Sequence, residues 1–201
     1  MIAAVLLAAG QSRRMGRPKM TLPWRNGETL IVHVAQVFVE AGADPVVVVT
    51  GAEREPVEGA LQGLPIRFVH NPDYSAGGML SSVQAGLASL TMPEIEAAAV
   101  APGDIPFLMP ETVRAILERW RARPSPLLAP SYERRRGHPM LLARAEWPGV
   151  MALERGKTMR DFFRARAEEI DYLVVEDPGV VNDIDTRDQY DEGMGGNQPA
   201  D

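Results

Sequence analysis

The sequence has no cysteine in its 201 residues. Disulfides, thiolate metal sites and a cysteine nucleophile are therefore excluded, which fits a reducing, cytoplasmic setting. A long basic run is also missing. The 21 Lys and Arg against 27 Asp and Glu give a formal charge of −6, the wrong balance for a protein that grips nucleic acid without sequence preference. Long hydrophobic runs are absent too. The apolar start, Met1 to Ala9, is too short to span a bilayer. It has no basic stretch before it, so it reads as a buried strand rather than a signal peptide. Neither a membrane nor a nucleic-acid partner is expected. The remainder is ordinary globular composition, 45% hydrophobic and 24% charged, enough for one domain with a modest insertion.

Ile2 to Leu7 is continuously apolar and ends in Ala8-Ala9-Gly10, as a strand covered on both faces does. Thr29 to Ala41 puts Leu30, Val34, Val37, Phe38 and Ala41 at helical spacing before Gly42, which predicts an amphipathic helix with a glycine stop. Further strands are predicted over 46–50, 66–69, 97–101 and 127–129. Helices are predicted over 54–61, 80–90 and 111–121, the last with Pro110 at its start. This alternation implies right-handed crossovers and an open α/β fold with a mainly parallel sheet. After Pro130 the rhythm changes. Residues 132–142 are basic and then apolar, suiting a short hairpin or bulged strand. A helix over 158–167, a strand over 172–175 and a helix opening at 186–190 follow. Gly-rich, polar 193–201 is expected to be a disordered tail.

The string Leu7-Ala8-Ala9-Gly10-Gln11-Ser12-Arg13-Arg14-Met15-Gly16-Arg17-Pro18-Lys19 directly follows the first strand. Ligands in open α/β sheets sit beyond strand carboxyl ends. Small residues at 8–10 let backbone N–H groups approach phosphate oxygens, and Arg14 and Lys19 offset triphosphate charge. Gln11-Ser12 breaks the G-x-G-x-x-G dinucleotide spacing, and Gly16-Arg17-Pro18-Lys19 is not a Walker A ending.

Three further stretches carry polar chemistry. Asn71-Pro72-Asp73-Tyr74 precedes Gly77-Gly78-Met79-Leu80-Ser81-Ser82, which opens a helix with exposed N–H donors. Asn71, Ser81 and Ser82 either read a base edge or serve as helix caps. Asp104, in Pro102-Gly103-Asp104-Ile105-Pro106, is a turn residue or a magnesium ligand at a strand end. Asp183 and Asp185 precede the last helix, where Asp185 or Thr186 is also a natural cap. Arg134-Arg135-Arg136-Gly137-His138-Pro139 is a solvated hairpin or an anion site.

Taken together, these stretches resemble the MobA-like NTP transferase family, and within it the molybdenum cofactor cytidylyltransferase branch. The first string follows L-A-[AG]-G-x-S-x-R-M-G-x-x-K at Leu7, Ala8, Gly10, Ser12, Arg14, Met15, Gly16 and Lys19. The others are similar to the family's N-P-x-x-x-G-M-x-S-S (with one extra residue here), G-D-x-P, R-x-G-H-P and D-I-D-T-P-E-D, where Arg187 stands in place of the usual proline. The resemblance covers roughly residues 1–190. It implies a Rossmann-like, three-layer fold with a small β-containing acceptor-side insertion. The single domain would run 1–192, with a nucleotide-binding half (1–105) and an acceptor-binding half (106–192). It also implies transfer of a nucleotide from an NTP with Mg²⁺ as cofactor. Leu7, Ala8, Ala9, Gly10, Ser12, Arg14, Lys19, Asn71, Gly78, Ser81, Ser82 and Asp104 would bind the nucleotide, with Arg14, Lys19 and Asp104 catalytic. Asp104 and Asp185 would hold the metal, and Arg136 and His138 would meet a phosphorylated pterin. Ala9 tilts the donor towards CTP, since L-A-A-G marks the CTP users and L-A-G-G the GTP users. The resemblance leaves room for a molybdoenzyme as partner. The alternatives are a GTP or sugar-phosphate nucleotidyltransferase, a non-catalytic cofactor carrier, and an oxidoreductase on the same scaffold.

Overall fold

The computed structural model describes residues 1–12 and 15–195. In chain order the elements are β1 (Ile2–Ala8), α1 (Leu30–Glu40), β2 (Val46–Thr50), α2 (Arg54–Ala60), β3 (Ile66–His70), α3 (Gly78–Ser89) and β4 (Ala97–Pro102). The second half adds α4 (Pro110–Ala122), β5 (Leu127–Tyr132), β6 (Arg135–Arg136), β7 (Met140–Ala143), α5 (Trp147–Met151), α6 (Met159–Ala165), β8 (Ile170–Val174) and α7 (Arg187–Gly195). The sheet order is β3-β2-β1-β4-β7-β5-β6, with β8 paired to β5.

β1 pairs in parallel with β2 and β4, β2 with β3, and β5 with β8. β7 runs against both β4 and β5. The sheet is therefore mainly parallel, with two reversed strands: β7, which joins the second half to the first, and β6, antiparallel to β5. The period-2 alternation of β1 divides its side chains between two cores. Ala4, Leu6 and Ala8 pack with Leu30, Val34 and Phe38 of α1 and Ile116 and Leu117 of α4. Ala3, Val5 and Leu7 pack with Val83 and Leu87 of α3 and Phe162 and Phe163 of α6. Helices thus cover both faces in a three-layer α/β arrangement. Helix α3 lies close because Gly86 faces β1: a Cβ there would stand 2.3 Å from Val5 Cγ1.

Three differences from the sequence expectation have physical causes. β5 extends to Tyr132 and β8 starts at Ile170 because the two zip in register from Leu127↔Ile170 to Ser131↔Val174, a non-local pairing that periodicity does not reveal. Helix α5 was not expected. Five residues are too few for a periodic signal, and tertiary contacts hold it instead: Trp147 is buried, with its Nε1 donating to Leu142 O at 3.3 Å. Helix α7 continues through Gly193, where the tail was expected to begin. Gly193 is buried against Trp24 and Phe107, and its carbonyl accepts from Arg25 Nη2 at 3.2 Å. The rest of the expected tail, 196–201, lies outside the described residues.

Candidate active site

A cavity of about 780 Å³ opens at the carboxyl ends of β1 and β4. These neighbours are the point where strand order reverses direction, the usual ligand position in such sheets. The 9–12 loop forms one wall, and close backbone packing fixes its base. Gly103 N donates to Leu7 O at 2.9 Å, and a Cβ on Gly51 would lie 2.5 Å from Ala9 O. Ser12 turns the loop with φ 48. Its Oγ accepts from Lys19 N at 3.0 Å, while its carbonyl accepts from Met15 N at 3.0 Å. The loop is thereby closed on itself before Lys19.

Lys19 is 8% exposed and sits among oxygens. Its Nζ donates to Asp104 Oδ2 and, at 2.8 Å, to Ile184 O, with Asp185 Oδ1 at 3.7 Å. Asp104 O in turn accepts from Ile184 N at 2.9 Å. The segment before α7 is thus clamped to the end of β4 through both backbone and side chain. Asp185 is steadied from the other side: Gln189 Oε1 accepts from Asp185 N at 2.7 Å and from Thr186 N at 2.8 Å. Thr186 Oγ1 accepts from Gln189 N at 3.3 Å, completing a capping box. Burial pushes the Asp104 carboxyl above its usual range. Lys19 pulls it down less strongly, and Asp183 and Asp185 add to the rise.

Across the cavity, Asn71 Nδ2 donates to Ser81 Oγ at 2.9 Å and Ser82 Oγ at 3.0 Å, and its Oδ1 accepts from Asp73 N at 3.0 Å. Neither serine caps α3, whose N-cap is Gly77 with no side-chain bond. Asn71 instead ties the 71–74 turn to the first turn of α3. On the remaining side, β5 and β6 meet through Glu133 and Arg134, both with positive φ (47 and 64), which is the two-residue hairpin geometry. Arg136 then lies over the Phe163 ring at 5.0 Å. Phe163 belongs to α6, which starts in a Thr158–Asp161 capping box. His138 N donates to Val180 O at 2.7 Å. Burial pushes its imidazole below the usual value and outweighs the upward pull of the Val100 carbonyl and Asp183, while Arg136 lowers it further. The ring is therefore neutral near pH 7.

Of the residues nominated from sequence, Leu7, Ala9, Gly10, Ser12, Lys19 and Gly78 line this cavity, as do Ser82, Asp104, Arg136, His138 and Asp185. Three nominated residues do not. The Ala8 methyl belongs to the core beneath α1, because β1 alternation turns it away from the cavity-lining Leu7. Asn71 and Ser81 stand behind the lining, held by their mutual bond. Arg14 lies outside the described residues. Tyr74, Met79, Arg135 and Asp183 also line the cavity. Each belongs to a stretch already singled out, so neighbourhood in the motif was the available signal. Val180 and Val181 arrive through the tertiary fold alone.

The donor set suits a hard divalent cation. Asp104 Oδ1 is buried without a hydrogen-bond partner, and Asp185 faces the same cavity. Among the described residues, no group of three or more His, Asp or Glu side chains is arranged to hold a metal unaided. Magnesium commonly takes one or two carboxylates and completes its shell with water and phosphate. Among the described residues no helix is long and apolar enough to cross a membrane.

Residues 4–170 match the family model described as MobA-like NTP transferase domain. The chain is 33% identical over 197 residues to nicotine blue oxidoreductase of Paenarthrobacter nicotinovorans, covering 94% of each protein. It is 29% identical over 196 residues to the molybdenum cofactor cytidylyltransferase of Escherichia coli K12, covering 94% of this chain and 93% of that one. Among solved structures it is similar to Rv0371c of Mycobacterium tuberculosis H37Rv in complex with manganese. That match has a TM-score of 0.77 and 27% identity, covering 96% of this chain and 97% of that one. By sequence, by fold and by the loop that frames its cavity, the chain belongs to the MobA-like NTP transferase family and is a nucleotidyltransferase.

Proposed function

We propose that the chain transfers CMP from CTP to molybdopterin, releasing pyrophosphate, with Mg²⁺ as the cation and the cytoplasm as its compartment. The observation that carries this reading is the convergence of Lys19, Asp104 and Asp185 on one cavity that Arg136 and His138 also line. Ala9 in L-A-A-G and the cytidylyltransferase relative support the choice of donor and acceptor.

The acceptor's terminal phosphate oxygen bonds to the α-phosphorus of CTP, and the bond from that phosphorus to the bridging oxygen of the β-phosphate breaks. The nucleophile is already anionic and needs no strong base. Alignment and charge neutralisation therefore supply most of the rate. Asp104 and Asp185 would hold the metal, which when bound polarises phosphoryl oxygens and offsets their charge. The 9–12 loop presents backbone N–H groups to the triphosphate. Lys19 Nζ donates to Asp104 and Ile184 O and lines the cavity, so its third N–H is left for a phosphate oxygen of the departing pyrophosphate.

Pyrophosphate release measured with CTP, GTP, ATP and UTP, with and without molybdopterin, tests this. CTP with molybdopterin should give turnover, and Asp104→Ala should nearly abolish it while leaving circular dichroism unchanged. Turnover with GTP alone among donors would reassign the donor. Turnover retained in Asp104→Ala would remove that carboxylate from the reaction. One observation favours a second reading: the relative named nicotine blue oxidoreductase. Loss of nicotine blue absorbance with NADH or NADPH, without pyrophosphate release, would establish it. The missing G-x-G-x-x-G after β1 weighs against it.

A further inference from the structure

Helix α1 meets the turn that carries Asp104 at two points. At the start of the turn, a Cβ on Gly103 would stand 2.8 Å from Ile31 Cδ1, so the isoleucine already fills that space. At its end, His33 Nε2 lies 3.1 Å from Pro106 O. A carbonyl oxygen only accepts, so Nε2 carries the hydrogen and donates it. His33 Nδ1 is 3.9 Å from Glu28 Oε2, too far for a hydrogen bond. The next residue of the turn, Phe107, packs edge-on against Trp24 with ring centres 5.6 Å apart. Trp24 also meets His33 at 6.5 Å and Tyr190 of α7 at 6.0 Å. Trp24 follows Lys19 closely in the chain, and Tyr190 follows Asp185 closely. One cluster therefore touches all three segments that bring the cation and the two carboxylates to the cavity, while His33 itself stands outside the cavity lining.

We infer that His33 is a positioning residue for Asp104: its Nε2–H holds the Pro106 carbonyl and so fixes the 103–106 turn in the orientation that presents the carboxylate to the cavity. This deepens the transferase reading and rests on it for what the carboxylate does there. A side chain that sets the aim of a carboxylate without touching substrate governs turnover of the bound complex more than binding. The 9–12 loop and the first turn of α3 line other parts of the cavity, and their contacts do not pass through Pro106.

Two variants of the intact chain test this. His33→Phe keeps a ring beside Trp24 but has no N–H to give, and His33→Gln returns an N–H donor. Residue-resolved hydrogen exchange by NMR reads the turn with no substrate present. The reporters are the amides of Gly103 and Ile184, which donate to Leu7 O and Asp104 O. Both should exchange about tenfold faster in His33→Phe, the loss of one hydrogen bond. They should return close to wild-type rates in His33→Gln, with the β5 amides unchanged in both variants. Steady-state kinetics with CTP and molybdopterin should show kcat about tenfold lower in His33→Phe, with each KM within about twofold of wild type. His33→Gln should recover most of the kcat. Wild-type exchange at both reporters in His33→Phe overturns the hold on the turn. Equal acceleration in β5 makes His33 a general stabiliser and overturns it too. Faster exchange with unchanged kcat, or no recovery in a folded His33→Gln, overturns the positioning role. Absence of turnover in the wild type counts against the transferase reading alone, and hydrogen exchange then decides whether His33 holds the turn.

Discussion

Lys19→Met removes the only cation in contact with Asp104 among the described residues and leaves a carboxylate that is 14% exposed. Removing one partner from a buried ion pair typically costs about 3–5 kcal/mol. The low end applies here, because Asp104 retains some access to the cavity. At about 2–4 °C per kcal/mol for a chain of this size, the melting temperature should fall by about 6–12 °C at pH 8. The loss depends on pH with a definite sign. The folded Asp104 carboxyl already titrates above its ordinary value of 3.8, and without Lys19 it rises further. The folded state then binds a proton that the unfolded state has released, so stability declines with pH from about 3.8 up to the new folded value. The penalty is smallest in acid and grows as pH increases. Asp104→Asn removes the buried charge, so Lys19→Met/Asp104→Asn should be more stable at pH 8 than Lys19→Met. Thermal unfolding of wild type, both single variants and the double variant at pH 5 and pH 8 closes the cycle. A Lys19→Met penalty below about 1 kcal/mol and equal at both pH values would refute the idea that Lys19 neutralises a buried Asp104.

Three further outcomes are expected. Gly86→Ala drives a methyl to within 2.3 Å of Val5 Cγ1 and 3.0 Å of Val49 Cγ2; the stiff valines cannot yield, so urea denaturation should show a loss of about 1–3 kcal/mol. Asn71→Ala leaves Ser81, Ser82 and the Asp73 amide short of a partner; it should destabilise by about 1–3 kcal/mol and raise the KM for CTP, because Ser82 lines the cavity. Arg136→Met keeps an apolar stem over Phe163 but removes the charge; the KM for molybdopterin should rise while that for CTP holds, as steady-state kinetics with each substrate varied will show.

The strands that frame the nucleotide side were legible because their runs are continuous: Val46–Thr50 is a buried strand with the bounds its apolar letters suggest. The loop after β1 was legible for a different reason: its whole string, Leu7 to Lys19, resembles a family signature. What sequence hid was non-local. Nothing near Lys19 announces that its ammonium is shared between residues 104 and 184, or that Arg136 rests on a ring from α6. Asn71 and Ser81 were named for their polar atoms alone, and sequence could not show that the fold bonds them to each other and Asn71 also to Ser82 and the Asp73 amide. Thr186 and Gln189 show the reverse. The glutamine departs from the family pattern, yet it fits the spacing of a helix start and closes one.

The strap from Lys19 to Ile184 joins positions 165 residues apart. A second runs from the Tyr190 hydroxyl to Pro23 O, and Gly193 seats on Trp24. During synthesis Lys19 leaves the ribosome well before either partner, and the Ile184 carbonyl follows only 165 residues later. A stop between residues 105 and 183 would therefore release a product that keeps Lys19 and Asp104 but lacks the Ile184 carbonyl that shares the ammonium. By the same logic, a terminal label is better attached beyond Gly195 than exchanged for any part of α7.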